Sequence, residues 1–193
     1  MRGVGPSGGD EQTGSYALTL KAGSDSWADY ELSCDMYHMD NDYAGLFVRY
    51  VDELNYFRVW TKQEEADQGN NTTFGMDIVV DGTWTHNFKT GGPGVGQDGI
   101  SGTPIPAGDN IQQMQWFNVT AEVVGDTVTM YMEGEKIGEV TDPALAPGGG
   151  LAKGKIALYN ATNPMAYDNV TVTDMAVEPA GKLATTWSRL RSE

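Results

Sequence analysis

The sequence predicts an all-β fold, a two-sheet antiparallel β-sandwich. Two observations predict it: short segments of alternating apolar and polar residues fill the chain, and glycine-rich or aspartate-rich turns separate them every eight to twelve residues. Helical crossovers between the segments are not apparent, which favours antiparallel pairing. The 193 residues suit one domain. We expect a leader loop over 1–15, the sandwich over 16–178 and a short amphipathic C-terminal helix or tail over 179–193.

The first long predicted strand covers residues 27–37 and shows a clear two-residue period. Tyr30, Leu32, Cys34 and Met36 fall on one face, and the polar residues between them fall on the other. This pattern is typical of a strand with one face in a core and one towards solvent. The single cysteine excludes an internal disulfide, and its place in the apolar row predicts a buried, inert thiol.

The segment GLFVRY-VDEL-NYFRVW, residues 45–60, predicts a β-hairpin with a four-residue polar loop. A register that pairs Arg49 with Tyr56 puts five apolar side chains on the core face: Leu46, Val48, Tyr50, Phe57 and Val59. The opposite face then carries two arginines among three aromatic rings, namely Phe47, Arg49, Tyr56, Arg58 and Trp60.

This mixed face of the hairpin is the predicted ligand-binding site. Aromatic rings stack on the C–H faces of sugars, and guanidinium groups donate paired hydrogen bonds to hydroxyls or carboxylates. The alternative is structural: the two arginines pair with Glu31, Asp35 or Asp77 on neighbouring strands, and the aromatic rings pack beneath the long loop of residues 89–112.

Three further segments have the character of loops or of a tail. Residues 61–71 form a charged loop, after which a strand over 73–80 leads to a turn at residues 81–82. Residues 89–112 hold seven glycines without periodicity, which indicates a functional or mobile loop. Leu183, Trp187 and Leu190 form one stripe of the predicted C-terminal helix, which either lies on the sandwich or docks against a neighbouring domain.

Charge and hydropathy exclude two classes of partner. The formal net charge is −15 with only 12 lysines and arginines, so the chain lacks the basic face that nucleic acid requires. No run of 18 apolar residues is present, so we expect no membrane insertion. The oligomeric state is left open.

Residues 40–63, DNDYAGLFVRYVDELNYFRVWTKQ, resemble the C-terminal lectin-like domain of thrombospondins. The wider strand order resembles laminin-G-like and other concanavalin A-like jelly rolls, in which an early W-x-D-Y strand and a late Y-D-N-V-x-V strand correspond to Trp27–Tyr30 and Tyr167–Val172. The resemblance implies a calcium-stabilised, extracellular or cell-surface domain, with any signal peptide outside this chain. The family's domain cysteines are missing here.

Three acidic residues are candidate ligands for a structural calcium ion. Asp40 and Asp42 stand directly before a strand, where carboxylates commonly meet a metal at the mouth of a sheet. Asp168 shares its predicted face with Val170 and Val172, so its carboxylate is expected to point inward and to need a partner. Ordinary turn acids at positions 40 and 42, and a carboxylate satisfied by the backbone at position 168, are the alternatives.

The sequence thus predicts a calcium-stabilised extracellular module that binds a carbohydrate or glycoconjugate. A structural or adhesion domain that binds an extracellular protein is the alternative. A polysaccharide-degrading enzyme ranks third, because the E-x-D-x-E strand of related glucanases is missing and no other catalytic motif is visible. Glu31 and Asp35 would lie roughly 13 Å apart along one strand, too far for either glycosidase geometry.

Overall fold

The computed structural model describes residues 2–3, 14–18, 24–39, 43–63, 72–91, 114–160 and 165–175, and they form two antiparallel sheets packed face to face. The predicted two-sheet sandwich is therefore confirmed. The predicted C-terminal helix lies outside the described residues, as does the predicted 89–112 loop from residue 92 onward, whereas residues 89–91 are the end of a strand. Four residues of the predicted leader loop lie in strands instead, because Arg2 and Gly3 pair with Ser15 and Gly14.

The first sheet has seven strands in the order β1-β2-β11-β4-β5-β6-β7. Its members are β1 (Arg2–Gly3), β2 (Gly14–Leu18), β4 (Tyr43–Asp52), β5 (Asn55–Gln63), β6 (Thr72–Val80), β7 (Thr83–Gly91) and β11 (Lys155–Asn160). Three consecutive hairpins join β4 to β7. This sheet carries the predicted ligand-binding face.

The second sheet has five strands in the order β10-β9-β8-β3-β12. Its members are β3 (Tyr30–His38), β8 (Trp116–Val124), β9 (Thr127–Met132), β10 (Glu135–Thr141) and β12 (Met165–Asp174). A 3-10 turn at Ser24–Ser26 precedes β3. Strand β12 pairs with β3 at one edge, so its outer side is not covered by another strand of this sheet.

The core lies between the two sheets and follows the predicted alternation. Tyr30, Leu32, Cys34 and Met36 are buried, while the residues between them are half-buried. Burial, and secondarily the nearby Asp35 carboxylate, raises the pKa of the Cys34 thiol to about 12, which keeps it protonated and unreactive at neutral pH. The expectation of a buried, inert thiol is therefore confirmed.

The hairpin β4–β5 departs from prediction at its closed end. The predicted register is observed at the open end of the hairpin, as far as Phe47 and Val48. The turn has two residues instead of four, because Asp52 pairs directly with Asn55. The extra residues form a bulge after Val48, where Arg49 takes a left-handed backbone (φ 50°). The predicted pairing of Arg49 with Tyr56 is therefore wrong.

Strand β7, Thr83–Gly91, was missed by the sequence analysis. It follows the correctly predicted turn at residues 81–82 and pairs with β6. Its residues TWTHNFKT do alternate in the sequence, but threonine and histidine make the pattern less apolar than in the other strands.

Candidate functional site

The outer face of the seven-stranded sheet points away from the core, yet its side chains are buried. Strand pairing places Arg58 beside Phe47 on one side and Asp77 on the other. Around this row lies a second buried cluster, separate from the main core and made of Phe47, Tyr50, Tyr56, Val79, Ala157 and Tyr159, with Tyr43 and Trp84 packed against it. We call this surface the Arg58 face.

A buried ion pair occupies the centre of the Arg58 face. The Nε and Nη2 atoms of Arg58 both donate to Oδ2 of Asp77, at 3.1 and 2.5 Å, and Nη1 donates to the hydroxyl of Tyr159 at 2.9 Å. Arg58 is 1% exposed and Asp77 is 0% exposed. Burial is the largest single influence and disfavours the guanidinium charge, but the attraction of Asp77, the hydrogen bond to Asp77, and the contributions of Tyr159 and Tyr56 together outweigh it and raise the pKa of Arg58 above its ordinary value.

Aromatic rings surround the Arg58 guanidinium. Its Cζ atom lies 4.5 Å from the ring centre of Trp84, 5.0 Å from that of Tyr159, 5.8 Å from that of Trp60 and 6.0 Å from that of Tyr43. These distances fall within the range of cation–π attraction. The rings of Tyr43 and Trp84 are half-buried, so they are the part of this cage that is accessible.

Trp60 lies flat across a neighbouring glycine. It pairs with Gly45 on β4 and with Gly75 on β6, and a Cβ atom at Gly75 would lie only 2.1 Å from Cζ2 of the indole. The indole is buried, and its Nε1 atom has no hydrogen-bond partner among the described residues. A buried N–H donor without an acceptor costs free energy, so the Nε1 atom of Trp60 needs a partner that the described residues do not supply.

Arg49 does not belong to the Arg58 face. Its guanidinium donates to five backbone carbonyls: those of Ala28, Gly125, Leu145, Leu151 and Ala152. Its Nη2 atom also lies 3.5 Å from Asp29. The bulge turns this side chain away from the outer face, so the role of Arg49 is structural: it holds the segments whose carbonyls it binds.

The five predicted ligand residues thus divide into two groups. Four of them, Phe47, Tyr56, Arg58 and Trp60, lie on one buried face, and the fifth, Arg49, lies elsewhere. The ion pair with Asp77 that the structural alternative expects is present at Arg58, whereas Arg49 lies against Asp29 and not against the three acids proposed for it. Trp84 and Tyr159 were not among the predicted residues, although the alternation of residues 83–88 and 155–160 could have placed both rings.

The predicted calcium ligands are only partly within the described chain. Asp40 and Asp42 lie outside it. Asp168 and its neighbours Val170 and Val172 are exposed on β12, so the expected inward orientation of Asp168 is wrong; a strand irregularity between Asp168 and Thr171 breaks the face alternation. Across the described ranges, no group of three or more His, Cys, Asp or Glu residues could hold a metal ion. Calcium at Asp40, Asp42 and Asp168 therefore stays a prediction.

A cleft of about 440 Å³ opens at the end of the sandwich where β3 begins and β12 ends. It is lined by Ser26, Trp27, Ala28, Asp29, Tyr30, Val172 and Asp174. Asp29 there accepts a hydrogen bond from the backbone of Gly125. This cleft lies next to the carbonyl cluster of Arg49, on a different part of the molecule from the Arg58 face.

Comparison with known proteins places the chain by family and by fold. A family model described as a 3-keto-alpha-glucoside-1,2-lyase-like domain matches residues 9–173. A search of curated proteins found no match. Within the described residues, no helix has the length and apolar character needed to span a membrane.

Solved structures with the same fold share little sequence with this chain. Carbohydrate-binding module CBM66 from Bacillus subtilis superposes with a TM-score of 0.58 at 14% identity, over 89% of this chain and 93% of the module. Galectin LEC-6 from Caenorhabditis elegans gives 0.50 at 10% identity, over 84% and 91%. Toad ovary galectin in complex with thio-digalactose gives 0.53 at 9% identity, over 83% and 98%. The expected concanavalin A-like jelly roll is thereby confirmed.

Proposed function

The chain belongs to the family of 3-keto-alpha-glucoside-1,2-lyase-like domains, and on this basis we propose that it binds a glucoside on the Arg58 face. The observation that carries the proposal is the buried Nε1 donor of Trp60, which lacks an acceptor among the described residues and belongs to a ring 5.8 Å from the Arg58 guanidinium carbon. The carbohydrate-binding fold of the structural neighbours supports the same ligand class.

The composition of the Arg58 face suits a sugar in two ways. The half-buried rings of Tyr43 and Trp84 offer flat apolar surface for the C–H face of a pyranose. The N–H of Trp60 supplies one fixed donor for a hydroxyl or keto oxygen.

The buried ion pair itself is consistent with function. Replacing such pairs by apolar residues is often neutral or stabilising, so Arg58 and Asp77 are not explained by stability alone. Their fixed hydrogen bonds hold the guanidinium beneath the rings, which keeps both the charge and the stacking surface in one orientation.

Cleavage of a 3-keto-α-glucoside is the second candidate function, and the family match favours it. A 1,2-elimination would take the proton from C2, which the neighbouring ketone makes acidic, would form a C1=C2 double bond and would break the C1–O bond, with the departing oxygen taking up a proton to leave as an alcohol. Such a step needs a base at C2. Asp77 is the carboxylate that the described residues place on this face, and it is engaged with Arg58. Binding is therefore the main conclusion.

Sucrose and 3-keto-sucrose test the two candidates together. We expect at least one of them to bind by calorimetry, and we expect Trp60→Phe, which keeps a ring but removes the N–H donor, to weaken binding about tenfold, the effect of one hydrogen bond to a ligand. Leu54→Ala, an exposed residue in the turn between β4 and β5, is the control and should bind as the wild type does.

Chromatography of the same mixtures detects cleavage. Release of fructose from 3-keto-sucrose, and not from sucrose, would establish the lyase activity. If neither compound binds, or if Trp60→Phe and Leu54→Ala behave alike, the proposed site on the Arg58 face is refuted.

A further inference from the structure

The outer face of the five-stranded sheet ends in an aromatic pair. Tyr37 on β3 and Trp116 on β8 are direct cross-strand partners, with ring centres 5.2 Å apart and planes tilted by 45°. Trp116 is 51% exposed, an unusual exposure for the largest apolar side chain. Together the two rings form a broad apolar surface at one end of the sheet.

The next rung of the same face is polar and fixed by hydrogen bonds. Asp35 pairs with Asn118, whose Nδ2 atom donates to Oδ1 of Asp35 at 2.9 Å. From the other side, Nδ2 of Asn169 donates to Oδ2 of Asp35 at 2.7 Å. These two amide donors, that of Asn118 first, lower the pKa of Asp35 below its usual range, so the carboxylate stays charged and keeps both amides in place.

Asn169 reaches Asp35 only because its backbone is unusual. It has a φ of 50°, in the left-handed region, within the irregular stretch of β12 between Asp168 and Thr171. Such a conformation costs free energy outside glycine, and it persists where the surroundings fix it. The irregular backbone thus serves to place one more amide on this face.

A third rung continues the polar surface with hydroxyl groups. Thr120 Oγ1 donates to Ser33 Oγ at 2.9 Å, and Ser33 Oγ donates in turn to Oδ1 of Asn118 at 3.3 Å. From the Tyr37 rung to the Ser33 rung the strand rises roughly 13 Å, which suits a short oligosaccharide better than a single sugar. Linked pyranoses can stack on the aromatic rings of the first rung and form hydrogen bonds with the amides and hydroxyls of the next two rungs.

Charge restricts the class of ligand further. Glu31 and Glu122 face each other across β3 and β8 at the far end of the surface, which repels anions. The carboxylate nearest the rings, Asp35, already accepts from two amides, so it offers little to a cationic peptide. A neutral ligand rich in hydroxyl groups satisfies both conditions.

We propose that the Tyr37–Trp116 pair and the adjoining Asp35–Asn118–Asn169 rung form a second glycan-binding site, which takes neutral hexose oligosaccharides. This site lies on the opposite side of the sandwich from the Arg58 face, and it does not depend on the function proposed there. A chain with both sites would hold an oligosaccharide on one side while the other side acts on a separate sugar.

The test follows the indole N–H resonance of Trp116 in the full chain by NMR, with cellotetraose and maltotetraose as probes. We expect a saturable shift with at least one probe. Trp116→Ala and Tyr37→Ala should each weaken binding about tenfold or more, as measured by calorimetry, because each removes a stacking surface. Asn169→Gly, which relieves the left-handed backbone but deletes the amide, should weaken binding about threefold without loss of fold.

Leu54→Ala, an exposed residue in the turn between β4 and β5 that belongs to neither proposed site, is the control, and it should leave tetrasaccharide binding unchanged. Circular dichroism verifies that each variant is folded; Trp116 is exposed, so its replacement spares the core. The proposal is overturned if neither tetrasaccharide shifts the Trp116 resonance, if Leu54→Ala weakens binding as much as Trp116→Ala, or if octalysine shifts the resonance and the sugars do not.

Discussion

Two buried arginines lie nine residues apart on one hairpin, and they are satisfied in opposite ways. Arg49 donates to five backbone carbonyls, and burial lowers its pKa, with Tyr30 and Asp29 only partly opposing that effect. Arg58 pairs with the buried carboxylate of Asp77, which raises its pKa above the ordinary value despite burial. Both side chains are 1% exposed.

The difference lies in what each arginine connects. The carbonyls bound by Arg49 belong to the segment before β3, the turn between β8 and β9, and the connection from β10 to β11. These segments are distant in sequence and lie outside the strand ladders, so Arg49 supplies hydrogen-bond donors to their backbone carbonyls and holds the segments together. Arg58 instead bonds to Asp77 on β6, the strand already paired with its own strand β5. Its hydrogen bonds therefore orient side chains on the surface of the sheet and do not hold separate segments together.

Close packing supports the same division. A Cβ atom at Gly154 would lie 2.4 Å from the carbonyl carbon of Arg49, so the chain must have glycine where it crosses the bulge. On the other face it is Gly75 that makes room, for the Trp60 indole. Gly154 thus allows two backbone segments to approach each other closely, and Gly75 leaves room for the Trp60 ring of the candidate site.

The largest effect is expected from Arg49→Met. This change keeps most of the side-chain volume but leaves the five carbonyls without their donor, and at about 1 kcal/mol for each buried acceptor the loss is about 5 kcal/mol. Urea unfolding followed by circular dichroism measures it. A loss below about 1.5 kcal/mol would show that water or other donors replace the guanidinium, and the structural assignment of Arg49 would fail.

A smaller effect is expected from Asp77→Ala, which leaves the Arg58 charge buried and unpaired. The expected loss is about 3 kcal/mol, and the double variant Arg58→Met/Asp77→Leu should recover most of it, because an apolar pair can replace a buried ion pair. A double-mutant cycle in urea measures the coupling. If the double variant is no more stable than Asp77→Ala, Arg58 is as structural as Arg49 and the contrast between them disappears.

The sequence predicted the strands more reliably than the faces of the hairpin. Period-two alternation placed Tyr30 and Leu32 in the core correctly, because each strand there is regular. It misplaced Arg49 and Tyr50, because the bulge after Val48 reverses the faces and no local residue signals it. The bulge depends on carbonyls and on Gly154, all of which are distant in sequence.

The candidate site was predictable in part for the same reason. Phe47, Arg58 and Trp60 stand outside the bulge, so alternation put them together on one face. The cage was completed by Trp84, on a strand that the analysis missed, and by Tyr159, from a strand about a hundred residues later. Strand order within a sheet is a long-range property, and hydrophobic periodicity does not determine it.

The smallest effect is expected from Tyr159→Phe, which removes one hydrogen-bond acceptor from Arg58 Nη1 and keeps the ring beside it. The expected loss is about 1.5 kcal/mol, the value of a hydrogen bond to a charged group. The hydrogen bond from Tyr167 to the backbone carbonyl of Tyr159 is untouched, so β11 should keep its place. In the Arg58→Met/Asp77→Leu background the same change should have almost no effect, since the charge is gone. An equal loss in both backgrounds would show that the hydroxyl acts elsewhere, and that Arg58 depends on Asp77 alone.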